Sequence, residues 1–289
     1  MWFLSPLSRS VVRSALVVFL VLPLCSGCGV FRTLLKVNPD GSGTIVQTIR
    51  LNAMATQFMS SMATTDDSAR QDADNPPTLF TKKKIRARAA QFGDGVHFVR
   101  MERLDERGGK GYRAVYAFDD VRTVHLLPGE QMDIGDDAPG ASADDAKTKT
   151  PITFDFSAGV PATLTMHLGG LAAPDASVNM GRGPPDAPDT SNTARQKRMA
   201  RMMLRDAEMR IDIEPQGTLV GTDAKHRTAA GRITLMALNF NELMADPQAF
   251  DRFLTAKNQG RTDADTERMI RALPGIRLET KEAVTMRFE

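Results

Sequence analysis

The chain has 289 residues, with 37 Lys+Arg against 35 Asp+Glu, a formal charge of +2 and 42% hydrophobic residues. That length supports a sizeable core, and the slight positive balance gives no argument for a nucleic-acid partner, so none is expected. The two cysteines, Cys25 and Cys28, both stand before residue 29, which excludes a disulfide framework or a thiolate metal site in the rest of the chain.

Residues 1–13 carry only positive charge, on Arg9 and Arg13. Residues 14–24 form an apolar run of signal-peptide length, too short to span a bilayer comfortably. Ser26 and Gly27 then precede Cys28. The stretch resembles the lipobox of bacterial lipoproteins, in which the cysteine thiol receives a diacylglyceryl group and becomes the mature N-terminus. The Leu usual three residues before the cysteine is replaced by Cys25, with Leu24 one step earlier. An ordinary secretory signal and an uncleaved anchor helix are the rival readings. The resemblance implies a signal peptide over 1–27, lipidation (palmitate among the acyl chains) at Cys28, and a lipid-anchored place in the bacterial cell envelope. Each buried methylene of such a chain contributes about 0.8 kcal/mol. Gly29 after the cysteine favours the periplasmic face of the outer membrane over the inner membrane. Loss of 1–27 removes Arg9 and Arg13 and no acid, leaving 35 basic against 35 acidic residues.

In chain order, strands are predicted over Phe31 to Val37 and Thr44 to Leu51. Asn38-Pro39-Asp40-Gly41-Ser42-Gly43 between them is a hairpin turn signal. A short helix fits 53–62, where Met54, Phe58 and Met62 recur at helical spacing. A polar, mobile insertion covers 64–77. A second helix runs from about Thr78 to Phe92, stopped by Gly93 and Gly95. Two strands flank residues 106–111, and Tyr112, Ala114, Tyr116 and Phe118 share one face of the second. Residues 128–150 read as an insertion rich in Asp, Gly, Ala and Pro. The runs around Phe154 and Leu164 alternate cleanly and form a hairpin through 157–161. Residues 169–192 are a third insertion. The strongest helix then spans about Thr193 to Ala207. Met209, Ile211 and Ile213 make a strand with one wet face, turned by Gly217 into Thr218 to Thr222. Another strand covers Arg232 to Phe240. Asp246-Pro247 opens a helix, Thr262 and Asp265 form a capping box for the last one, and strands around Ile276 and Val284 close the chain.

Strands that alternate apolar with charged residues belong to antiparallel sheets wet on one face. The predicted fold is α+β: an antiparallel sheet covered on one face by helices, as a single ectodomain over 28–289. Three pieces together resemble uncharacterised bacterial envelope lipoproteins with an α+β ectodomain: residues 37–43, residues 111–120, and the late strand pair around Gly217 and 231–235. More distantly, the late pair resembles the LppM-type lipoprotein domain, which implies an association with lipid binding. This chain departs from that pattern at Leu235-Met236, where a tryptophan is common.

Motifs that might carry chemistry are few. Asn38, Asp40, Ser42 and Gly43 imitate an EF-hand start, but Ile49 stands where the bidentate Glu belongs. Asp119 and Asp120 point to opposite faces of an extended backbone and read as turn caps. His97, His125, His167 and His226 have no metal spacing, and no nucleophile elbow or phosphate loop occurs. No catalytic residue, cofactor or metal is expected. Two basic tracts remain as membrane-surface candidates: Lys82, Lys83, Lys84, Arg86 and Arg88, and the stripe Arg198, Arg201 and Arg205. The expectation is a non-enzymatic envelope lipoprotein, held to the membrane by its N-terminal lipid, that binds a hydrophobic or lipid-like ligand or a protein partner. A structural or assembly lipoprotein is the alternative, and a periplasmic hydrolase a third reading.

Overall fold

The computed structural model describes residues 29–53, 55–56, 80–106, 109–128, 150–169, 197–198, 200–202, 204–258 and 264–289. The signal segment, Cys28 and nearly all of the three insertions lie outside these residues.

The first hairpin forms where the alternating pattern places it. β1 (Gly29–Val37) pairs antiparallel with β2 (Gly43–Leu51), Leu35 opposite Ile45 and Phe31 opposite Ile49. The Asp40 carboxylate closes the turn by accepting from the Ser42 amide at 2.9 Å and the Ser42 hydroxyl at 2.7 Å. Asp40 therefore serves as a turn cap, as the missing twelfth EF-hand ligand implies.

The second helix is shorter than predicted. Thr81 caps α1 (Lys82–Ala87), accepting from the Lys84 amide at 3.3 Å. The chain then tightens into a 3₁₀ turn, Arg88–Phe92, which stops at Gly93 with φ 128°. β3 (His97–Glu106) and β4 (Gly109–Phe118) follow as an antiparallel pair. Asp120 caps the 3₁₀ turn Val121–Thr123 and grips Arg122 through both carboxylate oxygens, so of the Asp119-Asp120 pair it is Asp120 that caps the turn. β5 (Thr153–Ser157) and β6 (Ala162–His167) make the expected hairpin.

Helical residues within 197–204 lead into β7 (Glu208–Pro215). β8 (Leu219–Thr222) and β9 (Ile233–Asn239) come next. Asn239 caps α2 (Phe240–Ala245), and Asp246 caps α3 (Pro247–Asn258) by accepting from the Gln248 and Ala249 amides. α4 (Ala264–Arg271), β10 (Ile276–Leu278) and β11 (Ala283–Phe288) complete the chain.

These strands build two sheets, not the one expected. The larger has seven strands in the order β10-β9-β7-β1-β2-β4-β3, and the smaller four, β5-β6-β11-β8. The larger is mixed: β1 and β7 run parallel, Leu35 beside Ile213, and its other pairs are antiparallel. Parallel partners need a long crossover, so a pair of strands so far apart in sequence leaves no local signal. The turn at Gly217 does not fold β7 back onto β8. β7 pairs with β1 and β9, while β8 joins the smaller sheet against β11. Gly217 is where the chain leaves one sheet for the other. A Cβ there would lie 2.3 Å from the Glu289 carbonyl oxygen, because Thr218 and Glu289 exchange both backbone hydrogen bonds at that point.

One hydrophobic cluster joins the inner rows of both sheets to the helices. Phe31, Leu35, Ile45, Ile211 and Met236 come from the large sheet, Leu164, Met166, Met286 and Phe288 from the small one, and Ile85, Phe250 and Phe253 from helical elements. The buried methionines Met166, Met209, Met236 and Met286 sit in strands as core filling.

Candidate membrane-facing end

The described fold opens at Gly29, the residue after the candidate lipidation site. β1 stands in the middle of the large sheet, between β2 and β7, so the sheet end where β1 starts also carries Leu51, Gly111 and Glu208. A Cβ at Gly29 would lie 2.5 Å from the Arg50 carbonyl oxygen. Packing alone therefore requires a glycine here.

α1 lies along β4 on the inner face. The Phe80 ring meets Tyr112 at 5.1 Å, the Tyr116 hydroxyl donates to the Ile85 carbonyl at 3.1 Å, and the Phe92 ring meets Tyr116 at 5.0 Å. Tyr112 is opposite Ile49, two residues from the end at which β1 begins. Phe80, just before α1, thus lies over a residue two positions from the Gly29 end of the sheet, while Ile85 within α1 meets Tyr116, four residues farther along β4. Lys82, Lys83, Lys84 and Arg86 are exposed, and Arg86 stacks over Phe98 with Cζ 5.6 Å from the ring centroid. No acidic residue occurs in Thr81–Phe92.

Arg88 is placed differently. It is half-buried and donates to the Tyr112 hydroxyl at 3.2 Å, which in turn donates to Gln47 Oε1 at 2.8 Å. Burial raises the Tyr112 pKa above its ordinary value, so the phenol remains a donor. This chain of side chains was missed from sequence, although Gln47 shares the inward parity of Ile45 and Ile49. Thr33, opposite Gln47 on the same buried row, has a buried hydroxyl with no partner.

The second basic tract sits over other strands. Arg198, Arg201 and Arg205 are exposed on the segment that runs into β7. Arg201 Cζ lies 5.3 Å from the Phe250 ring centroid and Lys197 pairs with Asp251 at 2.9 Å, both on α3. Arg205 comes three residues before Glu208, which is opposite Val30 of β1, so it too lies at the Gly29 end. Arg198 is about 10 Å up the helix from it.

The outer face of the large sheet holds a denser set of charges. Arg32 and Arg210 are neighbours in the β1–β7 register, and each is drawn to a β7 acid. Arg32 Nε donates to Glu208 at 3.0 Å, and Arg210 Nε donates to Asp212 at 2.6 Å. Thr234 donates to the other Asp212 oxygen at 2.7 Å. Glu214 accepts from Arg232 at 2.8 Å and pairs with Lys36 at 3.2 Å. Burial pushes the Glu214 pKa up, but the bonds from Arg232 and Lys36 outweigh it and leave the carboxyl below its ordinary value. Asp212 is only 5% exposed, so the strand called wet holds a buried carboxylate.

His167 faces outward on β6 and bonds Asp155 Oδ2 at 2.7 Å. Among the described residues, no group of three His, Cys, Asp or Glu side chains is placed to hold a metal ion, and no helix is long and apolar enough to cross a membrane.

No family model matches the chain, and no curated protein matches it. Among solved structures, the NMR structure of the folded domain of Mycobacterium tuberculosis LppM is similar at 13% identity, over 74% of this chain and 84% of that one. The TM-score is 0.26, too low to establish a shared fold or to carry a function across.

Proposed function

We propose that the chain is a lipid-anchored lipoprotein of the bacterial cell envelope, without enzymatic activity, that binds an apolar or lipid-like ligand or a protein partner next to the membrane. The observation that supports this most is positional. The lipobox ends at Cys28 and the first described strand begins at Gly29, so a cut before Cys28 would leave every described strand in the mature chain. The acyl chains hold the domain, and the fold supplies whatever it presents there.

Metabolic labelling with an alkyne fatty acid tests the anchor. The parent chain takes up label and Cys28→Ala loses essentially all of it; equal labelling of the two ends the reading. Native mass spectrometry of the protein released in mild detergent tests the ligand. A mass above that of the acylated chain is the expected result, and a bare acylated mass leaves the protein partner as the cargo.

A further inference from the structure

We propose that the helical segment before β7 binds anionic phospholipid through one face, with Arg198, Arg201 and Arg205 on lipid phosphates and Met202 dipping beneath them. This rests on the lipid anchor proposed above and names the surface and the lipid chemistry that would meet there. The face follows from spacing. Residues 198, 201, 202 and 205 stand three or four apart on a segment that is helical through 204, so they share one side of it. All four are exposed, Met202 at 52%, while Ala200 and Leu204 point into the core from the other side. An exposed apolar side chain flanked by three guanidiniums suits the boundary between headgroups and acyl chains.

The fold leaves this face unanswered. Residues 194–205 contain no acid. Among the described residues, Arg198 and Arg205 have no hydrogen-bonding or ionic partner, and Arg201 stacks on Phe250 without meeting an anion. The acids that flank the segment are engaged: Asp251 with Lys197 at 2.9 Å, Glu208 with Arg32, and Asp206 with the Asn241 side chain at 3.0 Å. Asp105 and Glu106 belong to β3, the far edge of the large sheet, four strand spacings or about 19 Å from β7. A free guanidinium pairs with phosphate through two parallel N–H donors. The face is also tethered close to the candidate anchor. Arg205 stands three residues before Glu208, which is level with Val30 in the parallel β1–β7 register. From the reach of an extended residue and the spacing of strands, Arg205 is at most about 23 Å from Cys28.

The test uses tryptophan fluorescence. Trp2 is the one tryptophan of the chain and leaves with residues 1–27. Met202→Trp and Val160→Trp therefore give mature chains with a single reporter each. Val160 serves as the control: it is 89% exposed in the turn after β5, at the end of the fold where Gly41 approaches Phe156. The lipidated proteins are placed in phosphatidylcholine vesicles with brominated acyl chains, with and without phosphatidylglycerol. With phosphatidylglycerol, quenching at residue 202 should exceed that at residue 160 severalfold. Arg198→Gln with Arg205→Gln should abolish the difference at an unchanged urea midpoint, and Arg198→Gln alone should reduce it. Equal quenching at the two sites overturns the proposal, and so does a difference that persists without phosphatidylglycerol or without the arginines. A blue shift at residue 202 in detergent that grows with protein concentration also overturns it, in favour of a second copy of the chain. Fatty-acid labelling at Cys28 in the same samples separates the two failures. Label kept without quenching at residue 202 sinks the face alone, and label lost sinks the anchor and the face with it.

Discussion

Two charged regions of this molecule look alike as sequence and differ in the fold. The β7 strand reads Glu208, Arg210, Asp212, Glu214 at alternate positions, and α1 reads Lys82, Lys83, Lys84, Arg86. On β7 every charge has a partner supplied by the sheet itself: Arg32, Asp212, Arg210 and Arg232 in turn. Those pairs use up their own fields and hold three strands in register. In α1 the segment contributes cations and no anion, so the helix cannot pair its charges within itself. A run of charge indicates a binding surface only when the fold has not already answered it.

Disrupting the β7 ladder should therefore be costly. Arg210→Ala would leave the buried Asp212 carboxylate with the Thr234 hydroxyl as its remaining short bond. Removing one partner of a buried pair typically costs about 3–5 kcal/mol. Arg32 is close enough to Asp212 for a favourable charge interaction, which places the expected loss near the low end, about 3 kcal/mol. Urea unfolding of Arg210→Ala beside Arg113→Ala checks this. Arg113 and Glu102 are 3.8 Å apart and both exposed, so that change should stay within about 0.5 kcal/mol. Equal losses would mean that the ladder is not what distinguishes the two places.

A smaller effect separates the regions by pH. The Glu214 carboxyl, held below its ordinary 4.5 by Arg232 and Lys36, has a lower pKa folded than unfolded. Its contribution is present in full above the unfolded value and lost as pH falls through the folded one. Asp223 behaves in the same way, its own burial outweighed by Lys281 and the Thr285 amide. Stability of the parent chain should fall on acidification from about pH 5 downward, and Arg232→Gln should flatten that limb by less than about 1 kcal/mol. An unchanged limb would mean that the Arg232 bond does not set the Glu214 titration.

Local chemistry was legible in the sequence and long-range pairing was not. The turn at Asp40, the caps at Asp120 and Asp246 and the inward row Tyr112, Ala114, Tyr116, Phe118 all follow from residues within a few positions of one another. The parallel register of Leu35 with Ile213, and the departure of β8 into a second sheet, depend on which strands meet after the chain has folded. β7 alternates whether its neighbour is β8 or β1, so its pattern could not choose. The candidate site shows the same division. Five basic residues at 82–88 are visible to the eye, but only the Tyr112–Gln47 row explains why Arg88 turns inward while Lys82, Lys83 and Arg86 do not.

The smallest effect is the one that isolates function from folding. Lys82 and Lys83 are exposed, lie outside the core and supply no cap to α1, whose N-terminal bond comes from the Thr81 hydroxyl. Their charges add to those of Lys84 and Arg86 within one turn, a mild repulsion that the folded chain tolerates. Lys82→Gln with Lys83→Gln should therefore leave the urea midpoint unchanged within about 0.5 kcal/mol, or raise it slightly. A loss beyond that would assign these lysines to the fold, and the basic turn would then resemble the β7 ladder after all. An unchanged midpoint leaves their charge without a structural use inside the domain, which is the condition a surface reserved for the bilayer has to meet.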